Sequence, residues 1–202
     1  KAVNGSTDTG GATGFDTVDA DDASWSGSPL TFPRIQGADV CGTIVEVGEE
    51  VDEKRIGERV LVRNMLRTYV DFRPHECWTL GSECDGGFAQ FAVAPAIETH
   101  AVDCSWTDAE LASVPCAYST AENMLHRANV GAERVLVTGA SGGVGSAAVQ
   151  LAKRRGAEVI ALSSASKMAK VIALGADRVI DRSADLVAEL GAGSIDVVID
   201  LV

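Results

Sequence analysis

The fold of this chain is decided by residues 134–146, which read RVLVTGASGGVGS. An aliphatic run stops at a glycine-rich turn, and from Val144 the apolar positions recur at Ala148 and Leu151, the spacing of one helical face. The stretch therefore predicts a strand, a tight turn and a helix. The first N–H groups of such a helix lack partners within it, and the aligned peptide dipoles add partial positive charge, so the turn suits a pyrophosphate.

The glycine spacing indicates which kind of ligand the turn binds. Gly142 and Gly145 match the last two glycines of G-x-G-x-x-G, which puts Ala140 at the first position. The motif alone is weak, because a purely structural strand–helix turn can also carry it. A second apolar strand over residues 157–162 follows at the distance that a dinucleotide fold requires. We therefore predict a dinucleotide site whose turn consists of Ala140, Ser141, Gly142, Gly143, Val144 and Gly145.

Strands and helices alternate from Arg134 to the end of the chain. The patterns predict strands at 134–138, 158–163, 178–181 and 195–200. They predict the intervening helices at 143–155, 166–174 and 184–190. Such alternation favours a parallel, doubly wound sheet, since each right-handed crossover returns the chain in the same direction. A dinucleotide fold usually has about six strands, so we expect this domain to be incomplete in this chain.

The first half of the chain is rich in short strands. Glycine turns separate predicted strands at 40–47, 59–62 and 88–93. Thr107 and Glu110 have the spacing of a capping box and predict a helix over 107–113, with a second helix over 118–128. The chain thus divides into a β-rich domain, residues 1–114, and an α/β domain, residues 115–202.

Two segments lack a clear periodic pattern. Residues 63–87 mix charged, aromatic and cysteine residues and predict a long surface loop. Residues 1–30 are rich in glycine, serine, threonine and aspartate, which predicts either a flexible loop or a loop on the substrate side.

Composition excludes several classes of partner. The chain has 202 residues, with 17 lysines and arginines against 29 aspartates and glutamates, so its net charge of −12 disfavours nucleic acid and anionic membranes. It contains no apolar run of the roughly 20 residues needed to span a bilayer, and no signal-like segment opens it. The five cysteines are odd in number and irregularly spaced, which favours reduced thiols. We expect a cytoplasmic protein acting on a small molecule.

Four separated motifs carry a family resemblance. They are GADVCG at 37–42, DGGFA at 85–89, VTGASGGVG at 137–145 and LGAD at 174–177. Together they resemble the medium-chain dehydrogenase/reductase superfamily, in particular its zinc-type alcohol dehydrogenase and quinone reductase branches. The resemblance extends from about Leu30 onward. It implies a β-rich GroES-like domain that holds substrate, a Rossmann-like dinucleotide-binding domain, hydride transfer between them, and a homo-oligomer, either a dimer or a tetramer.

The resemblance also suggests roles for individual residues. It implies that Val144 presses on the nicotinamide ring and that Thr120 lies near it, although Val144 could simply pack helix on sheet and Thr120 could bond its own helix turn. Thr7, followed by Asp8, resembles the family's proton-relay pair. Asp39 either lines the cleft, where burial would raise its pKa and let it donate a proton, or is a salt-bridged structural residue.

The zinc ligands of the family are mostly missing. Zinc-dependent members supply an early cysteine, a histidine in a Gly-His-Glu triplet and a later cysteine. Here Ala38 replaces that histidine, no cysteine precedes Cys41, and only Cys116 matches a ligand position. A catalytic zinc needs three protein ligands, so we predict none. In the loop that carries the family's structural zinc, an improvised site remains the alternative to unligated residues, using His75, Cys77, Cys84 and a carboxylate.

The end of the second strand indicates the cofactor. An NAD enzyme usually has an acidic residue there that binds the ribose 2′-hydroxyl and would repel a 2′-phosphate. This chain has Ser163, Ser164 and Lys167 instead, which can bond and neutralise a phosphate, unless Lys167 is only a surface residue. We predict an NADP(H)-dependent, zinc-independent reductase of a carbonyl, enone or quinone. The alternatives are an alcohol dehydrogenase acting mainly in oxidation and a non-catalytic NADPH-binding sensor or partner subunit.

Overall fold

A computed structural model describes residues 2–5, 31–70 and 73–202, with backbone alone for 2–5 and 73–75. They fall into two compact units, residues 1–116 and 117–202. This division lies two residues beyond the predicted domain boundary. In the described part of the chain, no helix is long and apolar enough to cross a membrane.

The first unit is built on an antiparallel sheet of five short strands. In chain order they are β1 (Ala2–Gly5), β2 (Val40–Glu46), β3 (Arg59–Val62), β6 (Phe91–Val93) and β7 (Thr99–Ala101), and their spatial order is β6-β1-β2-β3-β7. A separate antiparallel pair consists of β4 (Met65–Val70) and β5 (Arg73–Thr79). The core of the unit contains Val40, Ile44, Val60, Val62, Leu66, Leu80 and Ala94.

The β4–β5 hairpin corrects the predicted surface loop over 63–87. Leu66 and Trp78 are paired across the hairpin, and both pack into the core of the unit. The charged residues between them interrupt the alternating pattern, so the packing of the buried Leu66 and the partly buried Trp78 against the core was not evident from the sequence. The hairpin therefore contributes side chains to the core of the unit and is not a surface loop.

Two other predictions in this unit need correction. Residues 2–5 form β1, which pairs with β2 and β6, although no regular structure was predicted before residue 30. A strand of four residues is too short to show a period, and its backbone is held by neighbours on both sides. The strand predicted from residue 88 begins only at Phe91, because the N–H of Phe88 donates to the Gln36 carbonyl at 2.9 Å instead of to a strand.

The predicted capping box is confirmed. Helix α1 (Asp108–Ala112) begins after Thr107, whose hydroxyl accepts from the Glu110 N–H while the Glu110 carboxylate accepts from the Thr107 N–H. Helix α2 (Pro115–Arg127) starts three residues earlier than predicted. Proline has no N–H to leave unpaired and its φ is already helical, so Pro115 both ends α1 and opens α2.

The second unit is the predicted parallel, doubly wound sheet. Its strands are β8 (Arg134–Val137), β9 (Glu158–Ser163), β10 (Arg178–Asp181) and β11 (Val197–Ile199), in the spatial order β10-β9-β8-β11. The connecting helices are α3 (Gly143–Arg154), α4 (Met168–Ala173) and α5 (Leu186–Leu190). The chain moves outward on one side through β9 and β10 and then crosses to β11 on the other side of β8. In open α/β sheets, a ligand binds at the carboxyl ends of the strands where the order reverses in this way.

Candidate functional site

The turn after β8 leaves the beginning of α3 open. Gly142 is the N-cap of α3 and, having no side chain, makes no capping hydrogen bond to this helix end. The first backbone bond of the helix runs from the Ser146 N–H to the Gly142 carbonyl at 2.9 Å. The N–H groups of Gly143, Val144 and Gly145 therefore have no partner within the helix, and their shared direction suits an anionic group.

The glycines of this turn have different roles. A Cβ atom on Gly145 would lie 2.2 Å from the Gly139 carbonyl oxygen, so only glycine lets α3 close on the turn. A Cβ on Gly142 would be 3.4 Å from the same oxygen, and one on Gly143 would meet nothing nearer than Ala117 at 3.8 Å. Gly142 and Gly143 thus leave an open cradle in front of the helix, which fits the approach of a pyrophosphate.

Gly139 is a residue of the turn that the sequence motif did not identify. It has φ +56°, in the left-handed region that favours glycine, and it allows the chain to turn sharply after Thr138. Ala140 follows it and is completely buried, so the methyl group at the first motif position is accommodated by packing.

The residues predicted to lie near the nicotinamide are only partly buried. Val144 packs against the core formed by α2, α3 and the sheet, which matches the packing interpretation of its role. Thr120 is half-buried on α2. Contact of either residue with a nicotinamide ring stays a prediction.

Ser163 at the carboxyl end of β9 has an unusual environment. Its residue surface is only 4% exposed, and its hydroxyl has no hydrogen-bond partner among the described residues. Buried polar groups are nearly always paired, so an unpaired hydroxyl at this position fits a missing ligand. Ser164 is half-buried, with its hydroxyl 3.4 Å from that of Ser166, and Lys167 is exposed.

Parallel pairing brings the end of β10 beside Ser163. Arg182 donates its backbone N–H to the Ser163 carbonyl at 3.0 Å, and its side chain is exposed. Asp181 is in register with Ser163. The hydroxyl and N–H of Ser183 donate to the Asp181 carboxylate at 2.6 and 2.9 Å and hold its pKa below the usual range. Sequence analysis missed both residues because they become neighbours of Ser163 only through the strand order.

Asp39 contacts the beginning of α2. Its Oδ1 accepts a hydrogen bond of 2.7 Å from the Cys116 N–H in the first helical turn. Surrounding protein raises the pKa of Asp39 by desolvating the carboxylate, and the bond from Cys116 opposes that rise. No ion pair of Asp39 occurs within the described residues, so its structural partner there is a helix end instead of a cation.

The residues of the alternative metal site are not gathered into a cluster in the described part of the chain. No group of three or more His, Cys, Asp or Glu side chains that could hold a metal occurs there. Cys77 is exposed and Cys84 is half-buried, while the side chain of His75 lies outside the described residues. Thr7 also lies outside them. Zinc independence and the relay role of Thr7 stay predictions.

Comparison with known proteins extends these findings. The profile of the alcohol dehydrogenase GroES-like domain matches residues 9–103, and the profile of the zinc-binding dehydrogenases matches residues 143–202. The chain belongs to the medium-chain dehydrogenase/reductase superfamily. The predicted architecture, a GroES-like domain and a Rossmann-like domain, is confirmed.

Similar members of the superfamily are named for several different activities. Acryloyl-coenzyme A reductase of Metallosphaera sedula is 34% identical over 182 residues, covering 86% of this chain and 54% of the relative. A chloroplastic quinone-oxidoreductase homolog of Spinacia oleracea is 36% identical over 160 residues, covering 76% of this chain and 44% of the relative. A solved alcohol dehydrogenase candidate from Sinorhizobium meliloti 1021 is 48% identical with a TM-score of 0.76, covering 86% of this chain and 50% of that one. The chain thus spans about half the length of these relatives.

Proposed function

We propose that this chain is part of an NADP(H)-dependent oxidoreductase that transfers hydride between the nicotinamide and a small carbonyl, enone or quinone. The observation that carries the cofactor assignment is the buried, unpaired hydroxyl of Ser163 at the end of β9. This strand end is where dinucleotide folds recognise the adenosine ribose. After rotation of the buried Ser163 side chain towards the strand end, a 2′-phosphate would give the hydroxyl a charged acceptor, and such hydrogen bonds are stronger than neutral ones.

The positive charges near Ser163 favour a cofactor with a 2′-phosphate over one with a 2′-hydroxyl. Lys167 follows in the next turn and Arg182 adjoins the Ser163 carbonyl, so two exposed cations flank the strand end. The competing interpretation is that Asp181 binds the 2′-hydroxyl of NAD(H). Its Oδ1 already accepts twice from Ser183, so a ribose hydroxyl would have to bind through Oδ2.

Residues of this chain would bind the cofactor and deliver the proton. The open N–H groups at the start of α3 bind the pyrophosphate, and we assign Val144 and Thr120 to the nicotinamide end on the family resemblance. When bound, the nicotinamide supplies or accepts the hydride. Asp39 keeps its Oδ1 on the Cys116 N–H, and we assign its carboxyl group to proton delivery. Desolvation raises the pKa of this group and makes the protonated form easier to reach than in a solvent-exposed aspartate. Thr7 is assigned to the same proton relay.

We propose that this reaction needs no zinc. Ala38 cannot ligate a metal, and Asp39 is engaged by the start of α2, so Cys116 alone stands at a family ligand position. One thiolate cannot hold a catalytic zinc. Polarisation of the substrate therefore falls to hydrogen-bond donors or solvent. We also propose that the protein is cytoplasmic and forms a homodimer or homotetramer. Sedimentation of the full-length protein can test the oligomeric state.

The test is turnover of the full-length protein, followed at the absorbance of reduced nicotinamide with NADPH and NADH. We expect NADPH oxidation with at least one enone, quinone or aldehyde, unchanged by a chelator. Activity mainly in alcohol oxidation would favour the dehydrogenase alternative. Tight NADPH binding without turnover would favour a sensor or partner subunit, and loss of activity on chelation with recovery on adding Zn²⁺ would contradict zinc independence.

A further inference from the structure

Thr138 joins the ends of two parallel strands that flank the reversal of strand order. It follows β8, while Asp200 follows β11. The Thr138 hydroxyl donates to Asp200 Oδ1 at 2.6 Å and accepts from the Leu201 N–H at 2.8 Å. The Thr138 N–H also donates to the Ile199 carbonyl at 3.0 Å. One residue thus makes three hydrogen bonds to the segment that leaves β11.

The next residue packs tightly against the same segment. A Cβ atom on Gly139 would lie 3.2 Å from the Leu201 carbonyl oxygen and 3.3 Å from the Leu201 Cβ. The carbonyl of Gly139 in turn accepts from the Gly142 N–H at 3.0 Å and lies against Gly145. A continuous chain of contacts therefore runs from Asp200, through Thr138 and Gly139, to the open end of α3.

From this arrangement we infer that Thr138 and Asp200 are positioning residues for the cofactor, holding the turn that presents the α3 N–H groups to the pyrophosphate. The inference rests on the proposed function, because it concerns the same dinucleotide site. Neither side chain has to touch the cofactor. The bond to a carboxylate is charge-assisted, and its geometry fixes the point at which the chain leaves β8.

The two residues should act as a pair. Thr138→Val keeps the shape of the side chain but removes both hydroxyl bonds, whereas Thr138→Ser can keep them. Asp200→Ala removes the acceptor, and Asp200→Asn retains an oxygen that can accept from the threonine. We expect Thr138→Val and Asp200→Ala each to raise the Kd for NADPH about 10-fold, with little further loss in the double variant, because contacting residues are not additive. Thr138→Ser and Asp200→Asn should stay close to wild type.

A fragment of the cofactor separates positioning from general destabilisation. Adenosine 2′-monophosphate carries the 2′-phosphate but has no phosphate at the 5′ position, where the pyrophosphate bridge begins. Its Kd for the full-length protein should therefore be unchanged by Thr138→Val, measured by calorimetry well below the unfolding temperature of each variant. A raised Kd for NADPH with an unchanged Kd for the fragment supports the inference. Equal Kd values for NADPH in folded wild type and Thr138→Val overturn it, as does equal weakening of both ligands. Failure of the wild type to bind any nicotinamide dinucleotide would instead overturn the proposed function.

Discussion

The carbonyl oxygen of Gly139 lies where a side chain on Gly145 would have to be: a Cβ atom there would approach it to 2.2 Å. This contact brings α3 against the end of β8 and determines the shape of the candidate phosphate cradle.

We predict that Gly145→Ala destabilises the protein by about 3 kcal/mol, because the clash is with backbone and cannot be relieved by a side-chain rotation. Urea unfolding of the full-length protein measures this. Gly143→Ala is the matched control, since its Cβ would meet only Ala117 at 3.8 Å, an ordinary van der Waals contact. This variant should leave the free energy of unfolding within about 0.5 kcal/mol of wild type while weakening NADPH binding. A Gly145→Ala protein as stable as wild type would contradict the packing described for the turn.

An ion pair between the buried Glu98 carboxylate and the partly exposed Arg63 guanidinium supports the first unit. The Glu98 side chain is only 1% exposed, and its carboxylate accepts from Tyr69 at 3.2 Å and pairs with Arg63 Nε at 3.3 Å. We expect Arg63→Met to lower the free energy of unfolding by about 3 kcal/mol, because it leaves a buried carboxylate without its cation. Tyr69→Phe, which removes one hydrogen bond, should cost about 1.5 kcal/mol. Chemical denaturation checks both, and equal effects of the two variants would show that the charge does not matter.

Acid should weaken the second unit through Asp177. The Lys153 ammonium at 2.6 Å and the Val159 N–H at 2.7 Å hold the pKa of Asp177 below its usual value. A depressed folded pKa contributes stability above the unfolded pKa, about 3.9, and that contribution is lost as the pH falls through the folded value. Asp177→Asn should therefore be less stable than wild type at pH 7, and the difference should shrink below about pH 4. A difference that is constant from pH 7 to pH 3 would contradict this.

Asp39 has one structural contact and one proposed chemical role, and Asp39→Asn separates them. Asparagine can still accept from the Cys116 N–H, so we expect α2 and the NADPH Kd to be preserved. It cannot deliver a proton as an acid, so kcat should fall about 100-fold or more. Wild-type kcat in Asp39→Asn, measured under saturating cofactor, would leave Asp39 only its role at the helix end.

The sequence was sufficient to predict the doubly wound sheet and the turn after β8. Continuous aliphatic runs, helical periodicity and the Gly142–Gly145 spacing all indicate the same local structure there, so no tertiary information is needed. The capping box of Thr107 is predictable for the same reason.

The remaining features depend on tertiary pairing. Charged residues interrupt the alternation of the β4–β5 hairpin, whose position is set by packing of the buried Leu66 and the partly buried Trp78 against the core. Asp181 and Arg182 adjoin Ser163 only because β10 pairs with β9, and strand order cannot be read from local pattern. Thr138 and Asp200 are 62 residues apart and meet only because β11 pairs with β8.

The measurement that tests the central claim most directly is the cofactor preference of wild type and Ser163→Ala, using Kd values for NADPH and NADH together with stability without cofactor. We predict that wild type binds NADPH at least about 10-fold more tightly than NADH, and that Ser163→Ala loses most of this preference with an unchanged NADH Kd. Because the Ser163 hydroxyl is buried without a described partner, the cofactor-free variant should be more stable by about 1 kcal/mol. A wild type that binds NADH as tightly as NADPH, with no change in Ser163→Ala, would contradict the account.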